Sequence, residues 1–145
     1  MHPRDIFDCW RLLESPYSAE SLKEGFLFCL LSSKRPIHEI LDPRLLDHRS
    51  TLLAQFKGMT DLDFPYELFD EVRIAVKNRI LNSLNLGDKA FLMSFAAGVP
   101  DWNVHKWSGY PGIMWKLLNL NLLKKSNPDK LNDHLHQLSK ILNTP

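Results

Sequence analysis

Two pairs of carboxylates in this chain are spaced for chemistry. In Arg4-Asp5-Ile6-Phe7-Asp8 the aspartates stand at i and i+3, so on a helix they share a face and can address one metal ion or one nucleotide. Arg4 is adjacent in sequence but lies about 100° round a helix from Asp5, so it need not join them. Acidic residues are also common in a first helical turn, where they complement the helix dipole. Spacing alone favours that plainer role. Asp61-Leu62-Asp63 is the second pair. On a strand, carboxylates at i and i+2 point the same way and grip a divalent cation, as nucleotidyl transfer requires. Here the pair lies between Gly58 and Pro65 with no alternating pattern around it. It is expected to be a turn, with Asp63 capping the helix that follows.

Other reactive side chains are less organised. His134 and His136 are two apart on a helical pattern and diverge, which argues against a shared metal. His38 and His48 have no partner recognisable from sequence. No GxSxG nucleophile elbow and no glycine-rich phosphate loop occurs, nor the Arg-x(4–6)-His pairing of an all-α ribonuclease. Trp102, Trp107, Tyr110 and Trp115 interleave with His105, Lys106 and Lys116. Such a cluster can stack and clamp single-stranded nucleic acid, but large aromatics more often serve burial, as a core or packed loop. Lys34-Arg35 and Lys124-Lys125 are small positive spots expected on a solvated face.

The elements that must position these residues are helical throughout. A first helix spans roughly 5–14 and stops at Ser15-Pro16. A second follows a Ser18 cap and carries Leu22, Phe26, Cys29 and Leu30 at helical spacing. Pro36 starts a short helix, Ile37 to Leu41. Asp42-Pro43 reads as a cap with proline at the first helical position, and Gly58 as a stop, with Leu45, Leu46, Leu52, Leu53 and Phe56 in one stripe. Pro65 opens a longer helix with Leu68, Val72, Ala75, Val76 and Leu84 on one face, broken at Gly87-Asp88. A helix over 88–97 ends at Gly98, the aromatic segment after it forms an ordered loop, and Pro111 and Asn127-Pro128 launch the last two helices. The expected fold is all-α, a single domain over 1–145 of six to eight packed helices.

At 145 residues the chain is long enough to bury a core without disulfides or metal. A net charge of +1 gives no global pull toward nucleic acid or membrane. Cys9 and Cys29 sit in apolar contexts and are expected to be buried free thiols of a reducing compartment. No Cys/His zinc spacing occurs. The longest apolar run, Phe26 to Leu31, is too short to span a bilayer. A cytoplasmic protein with no membrane partner is expected.

Five stretches in this order, PRDIFDCWRLLE, KRPIHEILDPRLLD, FKGMT, DKAFLMSFAAGVPDW and PGIMWKLLNLNLL, resemble the C-terminal half of the AbiEii/AbiGii-type nucleotidyltransferase toxin family. That family supplies the toxin components of abortive-infection, phage-defence toxin–antitoxin systems of type IV. Together the stretches run over nearly the whole chain, and the series FLMSF, PDW and MWKLLNL is the most specific part.

The resemblance implies a nucleotidyltransferase core ahead of this region, with a Gly-Ser or Gly-Gly motif, an acidic pair on a strand and a Lys-x4-Arg. An RDxxD motif then comes last, at the junction with the helical region. Arg4-Asp5-Ile6-Phe7-Asp8 matches that final motif, which makes Asp5 and Asp8, supported by Arg4, the implied catalytic residues facing the nucleotide. The other motifs are missing from these residues. The implied role is therefore the helical portion of a toxin, truncated and inactive alone, that completes a groove for NTP and an RNA acceptor. Lys106, Trp107 and Lys116 are the groove candidates. Magnesium and NTP are expected only for the complete enzyme, and the implied partners are the nucleotidyltransferase half, a cognate antitoxin and RNA. The alternative is a free-standing helical protein-interaction module with a vestigial acidic pair. The first helix discriminates: an uncovered apolar patch at Ile6 or Trp10 implies a missing domain, and a covered one implies self-sufficiency.

Overall fold

The computed structural model describes residues 2–17 and 19–143, and within them every regular element is helical. Eight helices follow in order: α1 (Pro3–Leu13), α2 (Ala19–Ser32), α3 (Ile37–Leu41), α4 (Arg49–Gln55), α5 (Tyr66–Ser83), α6 (Leu86–Ala96), α7 (Pro111–Ser126) and α8 (Pro128–Asn143). They form one domain. No helix among the described residues is long and apolar enough to cross a membrane. The expected Ser18 cap lies outside the described residues.

Local chemistry sets the boundaries. At α1 the His2 ring accepts from the Arg4 amide while the Asp5 carboxylate accepts from the His2 amide at 3.0 Å, a reciprocal cap of two otherwise unpaired donors. Asn85 and Asp88 build the same box at α6. That helix therefore begins at Leu86, and Gly87 lies in its first turn instead of breaking the chain. Gly98 ends the segment at φ +85°. A side chain there would be strained in backbone and would collide with the Asn121 amide oxygen. Asn127 accepts from the Lys130 amide at 3.0 Å and starts α8 as its sequence predicts.

Three expectations fail for identifiable reasons. Asp42-Pro43 does not open a helix: Asp42 closes α3, its conformation pushed out of the helical region by the following proline. The next turn is delayed because the Leu46 carbonyl is taken by the Arg73 guanidinium at 3.0 Å, and Asp47 caps the Arg49 amide at 2.9 Å. Leu45 and Leu46 consequently lie outside any helix and exposed, and Leu53 is exposed too. Asp63 is not a cap either. Pro65 occupies the N-cap of α5 without a side-chain bond, and Asp63 stands two residues too early. The thiols also differ from expectation, since Cys29 is exposed and Cys9 half-buried.

Apolar burial forms two connected clusters. The larger joins α2, α3, α6, α7 and α8 around Leu31, Phe91, Phe95 and Ile113. The smaller joins α1, α4 and the first half of α5. On α5 the inward face is Phe69, Val72, Arg73 and Val76, and Ala75 points to solvent. Ile80 and Leu81, further along α5, pack on the larger cluster, so this helix ties the two together. Phe64 is the hub of the smaller cluster, with ring contacts to Phe7, Trp10, Phe56 and Phe69. Phe64→Ala is expected to cost about 3–5 kcal/mol in urea unfolding, the usual loss for a buried aromatic. A loss under about 0.5 kcal/mol would show that the rings do not hold α1 in place.

Candidate functional site

The acidic motif sits on α1, with its apolar side closed. Ile6 is 3% exposed, and Phe7 and Trp10 are half-buried against Phe56 and Phe64. The opposite side carries Arg4, Asp5 and Asp8, all exposed. Asp5 is occupied as the helix cap. Asp8 pairs with Arg4 across 3.8 Å, both side chains about two-thirds exposed, so Arg4 joins Asp8 and not Asp5. An exposed pair of this length contributes little to stability. The two carboxylates also raise the pKa of Cys9, behind its burial as the larger cause. Both effects favour the protonated thiol of half-buried Cys9 over the thiolate.

The groove candidates are placed in three different environments. Lys106 is exposed in the loop between α6 and α7. Trp107 is half-buried, stacked on His105 at 4.3 Å and edge-on to Phe28. Lys116 is inside the fold: its Nζ donates to the Leu30 carbonyl at 2.8 Å and the Arg35 carbonyl at 2.9 Å, closing the end of α2. Burial pushes its ammonium down to about 8. A lysine spent on two carbonyls does not line a groove. Asp61 and Asp63 are exposed in a turn. Among the described residues no three His, Cys, Asp or Glu side chains converge as metal ligands. His38 does have a partner, the ring of His134 at 4.8 Å across the α3–α8 contact.

The most buried polar cluster escapes sequence reading. Lys23 from α2 donates to Asp88 Oδ2 at 3.0 Å, and His105 Nε2 meets Asp88 Oδ1 at 3.1 Å, with all three buried. Burial alone would raise the Asp88 pKa, but the Lys23 ammonium, the Asn85 amide and His105 together hold it below the ordinary carboxylate value. Lys23 is raised by its bonds to Glu20 and Asp88. The partners stand 65 and 17 residues apart in sequence, so no local motif announces them. The one local signal was the Asn85-x-x-Asp88 spacing of a capping box, which the expected break at Gly87-Asp88 passes over.

Two surface features remain. A cleft of about 540 Å³ opens between α5, α6 and α8, with Asp42, Lys77, Asn78, Asn82 and Lys89 on its polar side. None of the residues predicted for the site lines it. The second feature is the outer face of α7. At about 100° per residue, Ile113, Lys116, Leu117 and Leu120 point inward, and Met114, Trp115, Leu118 and Leu122 cluster on the opposite side. The outer four are 39%, 59%, 50% and 53% exposed. Trp115 is thus the member of the aromatic group that is not packed. Apolar residues at every angle of this helix were the available signal.

No protein-family model matches the chain, and comparison with curated proteins and with solved structures likewise finds no match.

Two results are expected. Asp5→Ala should lower stability by about 0.5–2 kcal/mol through the lost cap, and Asp8→Ala should change it by under about 0.5 kcal/mol. Paired urea titrations check this, and equal losses would contradict the cap assignment. Asp88→Asn should cost about 1–3 kcal/mol, because Lys23 keeps its 2.9 Å pair with Glu20 but loses the buried carboxylate that it shares with His105. Because the folded Asp88 pKa is depressed, its contribution is complete above the unfolded value of about 3.9 and is lost as pH falls through the folded value. A melting-temperature series across acid pH should therefore show a steeper fall for the native chain than for Asp88→Asn.

Proposed function

We propose that this chain is the helical half of an AbiEii/AbiGii-type nucleotidyltransferase, a binding and positioning domain that does not catalyse alone. The supporting observation is the state of the acidic motif. A rigid aromatic base holds α1 from one side, and Asp8 and Arg4 are open to solvent on the other. Phosphoryl-type transfer depends on metal and electrostatic positioning, and among the described residues no three His, Cys, Asp or Glu side chains converge as metal ligands. A partner carrying a Gly-Ser motif, an acidic strand pair and a Lys-x4-Arg would supply both. Asp8 then orients the nucleophile or accepts its proton, Arg4 steadies Asp8, and Asp5 fixes the helix that presents them. Lys106 and Trp107 flank the route of an RNA acceptor in this reading, and a cognate antitoxin would cover the same surface.

The second reading, a self-sufficient protein-interaction module with a vestigial acidic pair, is favoured by one specific observation. Ile6 is buried and Trp10 stacks on Phe64, so the apolar side of α1 needs no further domain to cover it. Both readings make the chain a protein-binding domain.

Labelled nucleoside triphosphates with Mg²⁺ and RNA distinguish them. The chain alone is expected to transfer nothing. Supplied with a separate polypeptide bearing the three missing motifs, it should support transfer, and Asp8→Asn should abolish that transfer without a change in melting temperature. Transfer by the chain alone overturns the proposal. Transfer indifferent to Asp8→Asn leaves the interaction module as the account.

A further inference from the structure

His38 and His134 meet where α3 packs on α8. Their ring centroids are 4.8 Å apart, with the planes tilted by 51°, and both residues are half-buried. Among the described residues neither ring has a hydrogen bond or a paired carboxylate. Neutral imidazoles pack there as two aromatic surfaces. Protonated ones would set two like charges side by side, partly out of water.

The surrounding charges do not relieve that repulsion. On α8, Lys130 and Asp133 flank His134, and His136 diverges. On α3, Glu39 is engaged by Arg35 at 3.3 Å, and Asp42 at its end is paired with Lys77 of α5. From α7, Lys116 turns its ammonium to the Leu30 and Arg35 carbonyls. On α6, Asp88 is buried with Lys23 and His105, and Lys89 lies at the cleft. α2 carries Glu20, Lys23 and Glu24 in its first half, with Glu20 on Lys23. Burial, then His38, then Lys130 hold His134 below the ordinary histidine value, against the opposing pull of Glu39 and Asp133. The stabilisation from its neutral ring is therefore complete above the unfolded value of about 6.5 and is lost as pH falls through the folded one.

The element that would yield is α3. It has five residues and no side-chain bond at its N-cap, Pro36, so it does not persist without packing, and α8 is its main neighbour. The chain on either side is anchored independently of the histidines. Lys116 holds the Arg35 carbonyl before α3, and Arg73 holds the Leu46 carbonyl after it. Lys116 titrates at about 8, so its ammonium and its bonds persist in acid. We propose that the His38–His134 pair is an acid-sensitive latch, whose protonation raises the fraction of molecules in which the segment between Arg35 and Leu46 opens from α8 while the rest stays folded. The latch involves neither the acidic motif of α1 nor nucleotidyl transfer, so either can fail without the other.

The test is amide hydrogen exchange of the full chain, read by mass spectrometry at about pH 7.5 and about pH 5.5, either side of the ordinary histidine value. After correction for the intrinsic pH dependence of exchange, opening of α3 should rise about fivefold or more in acid, and that of α6 should not change. His134→Gln should abolish the difference and His38→Gln should reduce it, with helical circular dichroism unchanged, since both replacements are polar at half-buried positions. His136→Gln should leave the difference intact. Four results overturn the inference: equal opening of α3 at the two pH values, a rise shared equally by α6, a difference that survives unreduced in either His134→Gln or His38→Gln, or one that His136→Gln removes as well.

Discussion

The Asp88 carboxylate is the point on which the rest of this structure depends. It caps α6 through the Asn85 amide, neutralises Lys23 from α2 and holds His105 in the loop that leads to α7. A buried pair of charges is a poor source of net stability, because desolvation offsets much of the attraction. It is a strong source of geometry. An unpaired Lys23 or Asp88 would be so costly that helices and loop must arrive together in one arrangement. His105 then stacks on Trp107 and meets Phe91 edge-on, which carries the register of the loop into the apolar core.

Lys116 performs a related task one layer away. Its two bonds close the carbonyls at the end of α2 and after it, and so fix the rotation of α7 about its own axis. With Lys116 turned inward, Trp115 beside it is turned out, and Leu118 and Leu122 follow at helical spacing. The outward stripe is therefore a consequence of an inward polar bond. On α1 the logic is similar. The aromatic cluster around Phe64 takes Ile6 and Phe7, and the helical period leaves Arg4 and Asp8 in solvent.

Much of the all-α fold was legible because its punctuation is local. Pro111, Asn127-Pro128 and Gly98 stand where the helices begin and end, and each acts through its own backbone or nearest neighbours. The region 42–48 was misread because its structure is decided at a distance, by Arg73 taking the Leu46 carbonyl from another helix. The same holds for the site. Asp5 is a cap, a short-range role that its position in the first turn already announced. The burial of Lys116 depends on carbonyls more than eighty residues away, and the partners of Asp88 are equally remote. Cys29 was misjudged for a simpler reason, since a helix in an apolar run still has a solvent side.

The central proposal is that this helical domain works with a separately supplied nucleotidyltransferase core. It rests on the order of the resembling stretches and on the exposure of Asp8 and Arg4 on α1, whereas the covered apolar side of that helix supports the interaction module. The most direct measurement is the nucleotide sequence of the DNA immediately preceding the Met1 codon, read in all frames. The account predicts a frame encoding a Gly-Ser or Gly-Gly motif, an acidic pair within a strand pattern and a Lys-x4-Arg, in that order. A preceding region with none of the three would contradict it, and the chain would then stand as a protein-interaction module on its own.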